Sequence, residues 1–177
     1  MIVLRPPVLA RRLRLVAAAI PLFILLAITA NAAETKSETG WHLIRTANPR
    51  GGADAVAMMH TADPLKSDIG LAGLMLRCSE KDLEIVIVAT TPFAPRSHPR
   101  IMLSAGKIET AFDATVVSPF SVLLLPPEAT TLIDGGWQLA PELLIEINDQ
   151  QTIIRGVVPL LGLKAAAAML RTNCPIR

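Results

Sequence analysis

From Trp41 onward the chain alternates apolar and polar positions, and this period of two predicts strands. "WHLIRT" (Trp41 to Thr46) and "DAVAMMHTA" (Asp54 to Ala62) are the first two, with a turn at Arg50 to Gly52. A polar loop with Asp63-Pro64 and Ser67-Asp68 follows, and Pro64 to Leu71 are read as a helical turn. "GLMLRC" and "DLEIVIVAT" then form a hairpin over Ser79-Glu80-Lys81. In its second strand Leu83, Ile85, Ile87 and Ala89 share one face, and Asp82, Glu84, Val86 and Val88 share the other. That second face turns from charged to apolar, so its far end is expected to be covered on both sides.

Pro92, Pro95 and Pro99 make "TPFAPRSHPR" an irregular loop that cannot pair as a central strand. "RIMLSA" and "KIETAFDATVV" follow around Gly106; the second reads as one half-exposed strand with Ile108, Thr110, Phe112, Ala114 and Val116 on its inner face. "FSVLLLPPEATTLIDGG" predicts a strand ending at Pro126 and a short helix stopped by Gly135-Gly136. "WQLAPELLIEI" and "TIIRGVVPL" form a last hairpin over "NDQ", and Leu160 to Asn173 form an alanine-rich helix. The pattern therefore predicts a β-rich α+β fold, an antiparallel β-sandwich or curved sheet of roughly eight strands with a C-terminal helix.

The first 32 residues break this pattern. Arg5, Arg11, Arg12 and Arg14 precede an apolar run from Leu15 to Ala30 and the small-residue sequence Ala30-Asn31-Ala32, the three parts of a secretory signal peptide. The run is 16 residues long and contains Pro21, short of the roughly 20 residues that cross a bilayer. Residues 1–32 are read as a signal peptide cleaved after Ala32, with retention as an uncleaved anchor as the alternative. Residues 33–40 are a polar tether, and 41–177 one domain. The chain is expected in the periplasm, or anchored in the inner membrane facing it. Four of the 17 basic residues and none of the 15 acidic ones lie in the leader, so the remainder is acidic by two charges. A basic nucleic-acid-binding surface has no support.

The export reading gives weight to the two cysteines. Cys78 shares a strand face with Leu74 and Leu76, while Cys174 ends a stripe of Leu160, Leu163, Ala167 and Leu170 at helical spacing. Both thiols face the interior if the helix packs on the sheet. A Cys78–Cys174 bridge is the expectation in an oxidising compartment, with two separate buried thiols as the alternative. Its role would be structural, because redox pairs sit close together in sequence.

A tryptophan-led first strand, an "LMLRC" strand in mid-domain and a closing "GLKAAAAML" helix followed by Cys174 resemble the periplasmic domains of the invasion-associated locus B family and of the VasI-type accessory proteins of type VI secretion. The resemblance covers Trp41 to Cys174 and implies a non-enzymatic accessory role.

The residues themselves offer little catalytic chemistry. His42 and His60 read as strand residues at an edge or in solvent. No HExxH motif, G-x-S-x-G turn or phosphate-cradling glycine loop is present, so no metal or other cofactor is expected. Glu142 and Glu146 fit the solvated side of one strand. The one polar cluster with binding character is Arg96, His98 and Arg100 in the proline-stiffened loop, where preorganised guanidinium groups suit a carboxylate or phosphate. The expected function is that of a non-catalytic exported accessory or binding protein, whose partner is another envelope protein or an anionic envelope component. A signal-anchored subunit of an inner-membrane complex and a small envelope hydrolase are the alternatives.

Overall fold

The computed structural model describes residues 35–36, 39–48, 51–79, 82–117, 119–149 and 152–174. The leader and its cleavage point, part of the tether, Glu80-Lys81 and the Gln150 end of the last turn lie outside the described residues. Eleven strands are present among them: β1 (Thr35–Lys36), β2 (His42–Thr46), β3 (Ala55–Thr61), β4 (Leu71–Cys78), β5 (Leu83–Ala89), β6 (Arg100–Ala105), β7 (Ile108–Asp113), β8 (Thr115–Val117), β9 (Val122–Leu124), β10 (Glu142–Asp149) and β11 (Thr152–Pro159). Two α-helices, α1 (Thr131–Asp134) and α2 (Leu163–Asn173), accompany them, with 3-10 turns at Pro127–Thr130 and Gly136–Leu139.

The strands form two antiparallel sheets, seven-stranded in the order β1-β2-β3-β4-β5-β9-β8 and four-stranded in the order β11-β10-β6-β7. Period-two alternation explains how they meet. Val56 and Met58 of β3, Leu74 and Leu76 of β4, and Ile85 and Ile87 of β5 are buried, and they join Ile101, Leu103, Leu143, Ile145, Ile147 and Val158 of the smaller sheet in one apolar core. Leu163, Ala166, Ala167 and Leu170 of α2 complete that core, and Trp41 and Trp137 are fully buried in it. Each such leucine or isoleucine contributes roughly 1.5–3 kcal/mol of apolar burial.

Eleven is two more than the nine stretches read as strands, for two reasons. Thr35–Lys36, in the segment read as tether, pairs with His42 and Leu43. The stretch read as one strand from Lys107 to Val117 breaks at Ala114, whose N–H donates to the Pro99 carbonyl at 2.9 Å. On one side of Ala114, β7 pairs with β6 in the small sheet; on the other, β8 pairs with β9 in the large one. Alternation continues through the break because both sheets bury the same face. Two further readings are corrected: Pro64–Leu71, read as a helical turn, holds non-helical turns up to Gly70 and the first residue of β4, and Trp137 lies in a 3-10 turn, so that strand starts at Glu142.

The polar loop before β4 has an identifiable task. Asp63 and Asp68 donate their N–H groups to the Val157 and Arg155 carbonyls, while the Ser67 hydroxyl accepts from Val157 and the Asp68 carboxylate accepts from Arg155. These bonds occupy the outer edge of β11, a position that would otherwise invite pairing with another chain.

Candidate functional site

Cys78 and Cys174 are joined, with an S–S distance of 2.16 Å and Cα atoms 5.5 Å apart. The bridge ties the residue after α2 to the end of β4, and both cysteines pack against the core. Arg171 reinforces it. Its guanidinium donates to Asp134 at 2.7 and 3.0 Å and to Asp82 at 3.2 Å, linking α2 to α1 and to the start of β5. The Arg171 hydrogen bonds hold the Asp134 carboxyl below the usual aspartate range and raise the guanidinium in turn.

The Arg96, His98 and Arg100 loop is anchored by its apolar members. Phe93 and Pro99 are buried, and the Phe93 N–H donates to the Phe120 carbonyl at 2.8 Å. Arg96 adopts a left-handed conformation at φ +68° and is exposed, as is His98. Arg100 opens β6, opposite Asp113 of β7, and its Nη1 lies 3.6 Å from that carboxylate. Two of the three groups therefore stand in solvent on the loop, and the third is turned to an acidic neighbour on a strand.

His60 differs from its sequence reading as an edge or solvent residue. Its side chain is enclosed, with the residue only 7% exposed. Nδ1 lies 2.9 Å from the Thr61 carbonyl and Nε2 3.2 Å from the Thr39 carbonyl, and the ring stands edge-on to Trp41 with centroids 5.3 Å apart. The Thr39 contact buries it. A β-carbon at Gly40 would fall 2.7 Å from Nε2, so only glycine permits the approach. His60 thus clamps the segment before β2 to the sheet.

A concave feature lies on the outer face of the seven-stranded sheet. Pairing aligns Ile44 of β2, Ala57 of β3, Arg77 of β4 and Glu84 of β5 in one row, with Ala55 and Thr46 beside it. The alanines of β3 are low points between Ile44 on one side and Met75 and Arg77 on the other. The result is a trough of about 680 Å³, rimmed by Ala47, Asn48, Ala53 and Asp54 of the β2–β3 connection. In its wall Arg77 Nε donates to Glu84 Oε2 at 2.7 Å, both side chains about one-third exposed. The trough offers an apolar floor with a cationic donor and an anionic acceptor side by side. The alternation of Ala55 and Ala57 against Val56 and Met58 was its only sequence signal.

Among the described residues, no group of three His, Cys, Asp or Glu side chains could hold a metal ion. No helix among them is long and apolar enough to cross a membrane. No family model, curated protein or solved structure matches the chain.

Proposed function

We propose that the chain is a non-catalytic exported protein of the bacterial envelope, an accessory or binding module that holds a segment of a partner protein in the trough across β2 to β5. The observation that carries this reading is the trough itself: a row of small apolar residues between larger ones, with the Arg77–Glu84 pair in its wall. An extended peptide matches that surface, because it presents apolar side chains together with backbone N–H and C=O groups, complementary to a carboxylate and a guanidinium. The Cys78–Cys174 bridge supports export, since such bonds persist outside the reducing cytosol. The resemblance to the invasion-associated locus B and VasI-type domains points to the same accessory role.

A photo-crosslinking amino acid placed at Ala57 of the full chain, in intact cells, tests the reading. Ala111, exposed on the outer face of the smaller sheet, is the control position. A discrete protein adduct is expected from position 57, lost when Ala55→Trp fills the trough, and absent from position 111. Equal labelling at both positions, or an adduct indifferent to Ala55→Trp, contradicts it. Turnover of an envelope substrate by purified protein, abolished by His98→Ala, would establish the hydrolase alternative instead.

A further inference from the structure

The end of α2 fastens the same part of the large sheet that carries the trough. Three residues make the ties. Arg171 donates to Asp82, just before β5; Asn173 accepts through Oδ1 from the Arg45 guanidinium of β2; and Cys174 is bonded to Cys78, the last residue of β4. Side chains alternate along a strand, so these ties hold one face while their neighbours build the other. Arg45 stands between Ile44 and Thr46, which line the trough, and Cys78 follows Arg77. Pairing sets Cys78 opposite Leu83 and Arg77 opposite Glu84, so the bridge holds the cross-strand pair that adjoins the Arg77–Glu84 wall.

Of the three ties only the bridge is covalent. The Arg45 and Arg171 contacts are exposed, and exposed polar contacts contribute little because water and side-chain freedom compete with them. The last buried apolar residue of α2 is Leu170. Without the bridge, the residues beyond Arg171 are held by exposed bonds alone and fray as chain ends do. Both walls of the trough then lose their common support, Ile44 and Thr46 on β2 and the Arg77–Glu84 pair on β4 and β5.

We propose that the Cys78–Cys174 bridge is a redox latch for the trough, an inference that rests on the trough being the partner site: the oxidised chain has a shaped trough and binds, and the reduced chain folds but does not bind. Closing the latch passes two electrons and two protons from the cysteine thiols to a disulfide-bearing oxidant, which becomes a dithiol. Opening it takes a dithiol reductant, whose thiolate attacks one sulfur and frees the other cysteine; its second thiol then completes the exchange, and the reductant leaves as its own disulfide. Both cysteines are half-buried, not enclosed, so exchange can reach them. Binding is thereby withheld until the chain meets an oxidising compartment.

Two measurements test the latch. In the first, amide resonances of the full chain are compared before and after reduction with dithiothreitol, and with those of the Cys78→Ala, Cys174→Ala variant. Ile44, Thr46, Ala55 and Ala57, none of them adjacent to a cysteine in sequence, are expected to shift and broaden in both cases, while Ile101, Leu103, Ile145 and Ile147 of the small sheet stay in place. Resonance positions report the folded state, so a bridge that only restrains the unfolded chain would leave the trough signals unmoved and overturn the proposal. In the second, the photo-crosslinking residue at position 57 is placed in the cysteine-free variant in intact cells, and the adduct per molecule of chain is expected to be lost. An adduct retained at the level of the bridged chain overturns the proposal too. No adduct from the bridged chain is a different result: it counts against the trough as the partner site, and the resonance comparison still decides the latch.

Discussion

Removing both sulfurs with Cys78→Ala and Cys174→Ala perturbs the fold at one defined place. The bridge spans 96 positions of sequence, and closing a loop of about that size restricts the unfolded chain by roughly 4–5 kcal/mol in the chain-entropy account. Both cysteines also pack on the core, so the alanines forfeit a little contact as well. The helix does not depend on the bridge alone, because Leu163, Ala166, Ala167 and Leu170 stay buried and Arg171 stays paired. The variant should therefore fold, with its urea midpoint lowered by the equivalent of about 4 kcal/mol. For a domain of this size the melting temperature should fall by roughly 12 °C, at about 3 °C per kcal/mol. The urea slope should rise, since an uncrosslinked denatured state exposes more surface. Hydrogen exchange should show the last turn of α2 opening first, as termini do once released. A loss under about 1 kcal/mol with an unchanged slope would refute the argument that the bridge acts by restraining the denatured chain.

Three other perturbations probe the contacts around that core. The Asp134 carboxyl titrates below its ordinary range because Arg171 hydrogen-bonds it, so its contribution is complete above about pH 4 and disappears as pH falls through the lowered value. Asp134→Asn should lower stability at neutral pH by no more than about 1 kcal/mol, given the exposure of the pair, and leave stability unchanged below the pH at which Asp134 is protonated, so that the acid limb flattens. Gly73 in β4 sits where a β-carbon would fall 2.2 Å from the His60 carbonyl; Gly73→Ala should cost about 2 kcal/mol or more, measured by urea unfolding, by pushing β3 from β4. His60→Ala removes the ring bonded to Thr39 and Thr61, and should cost about 1–3 kcal/mol and speed hydrogen exchange at Leu43, which pairs with β1.

Much of this fold could be read locally. The β4–β5 hairpin, the buried faces of β3 to β5 and the core stripe of α2 follow from period and turn residues alone, and the inward-facing cysteines follow from the same counting. Of the apolar end of β5's second face, expected to be covered on both sides, Val86 is fully buried between its cross-strand neighbours Met75 and Leu124, while Val88 beyond it is half-buried. Features set by distant partners were not legible. Ala114 ends one strand and begins another because of a bond to Pro99, and nothing in the alternation of that stretch marks the change of sheet. His60 is buried through a carbonyl 21 positions earlier. Likewise, the trough exists only once pairing sets Ala57 between Ile44 and Arg77.

Mass spectrometry of the chain isolated from cells, alkylated before and after reduction, addresses export and the staple together. The account predicts periplasmic protein whose thiols are alkylated only after reduction, with the Cys78 and Cys174 peptides recovered as one linked species and a mature N-terminus at Ala33 or, for the anchored form, an intact leader. Protein recovered from the cytosol with both thiols open to alkylation from the start would contradict it.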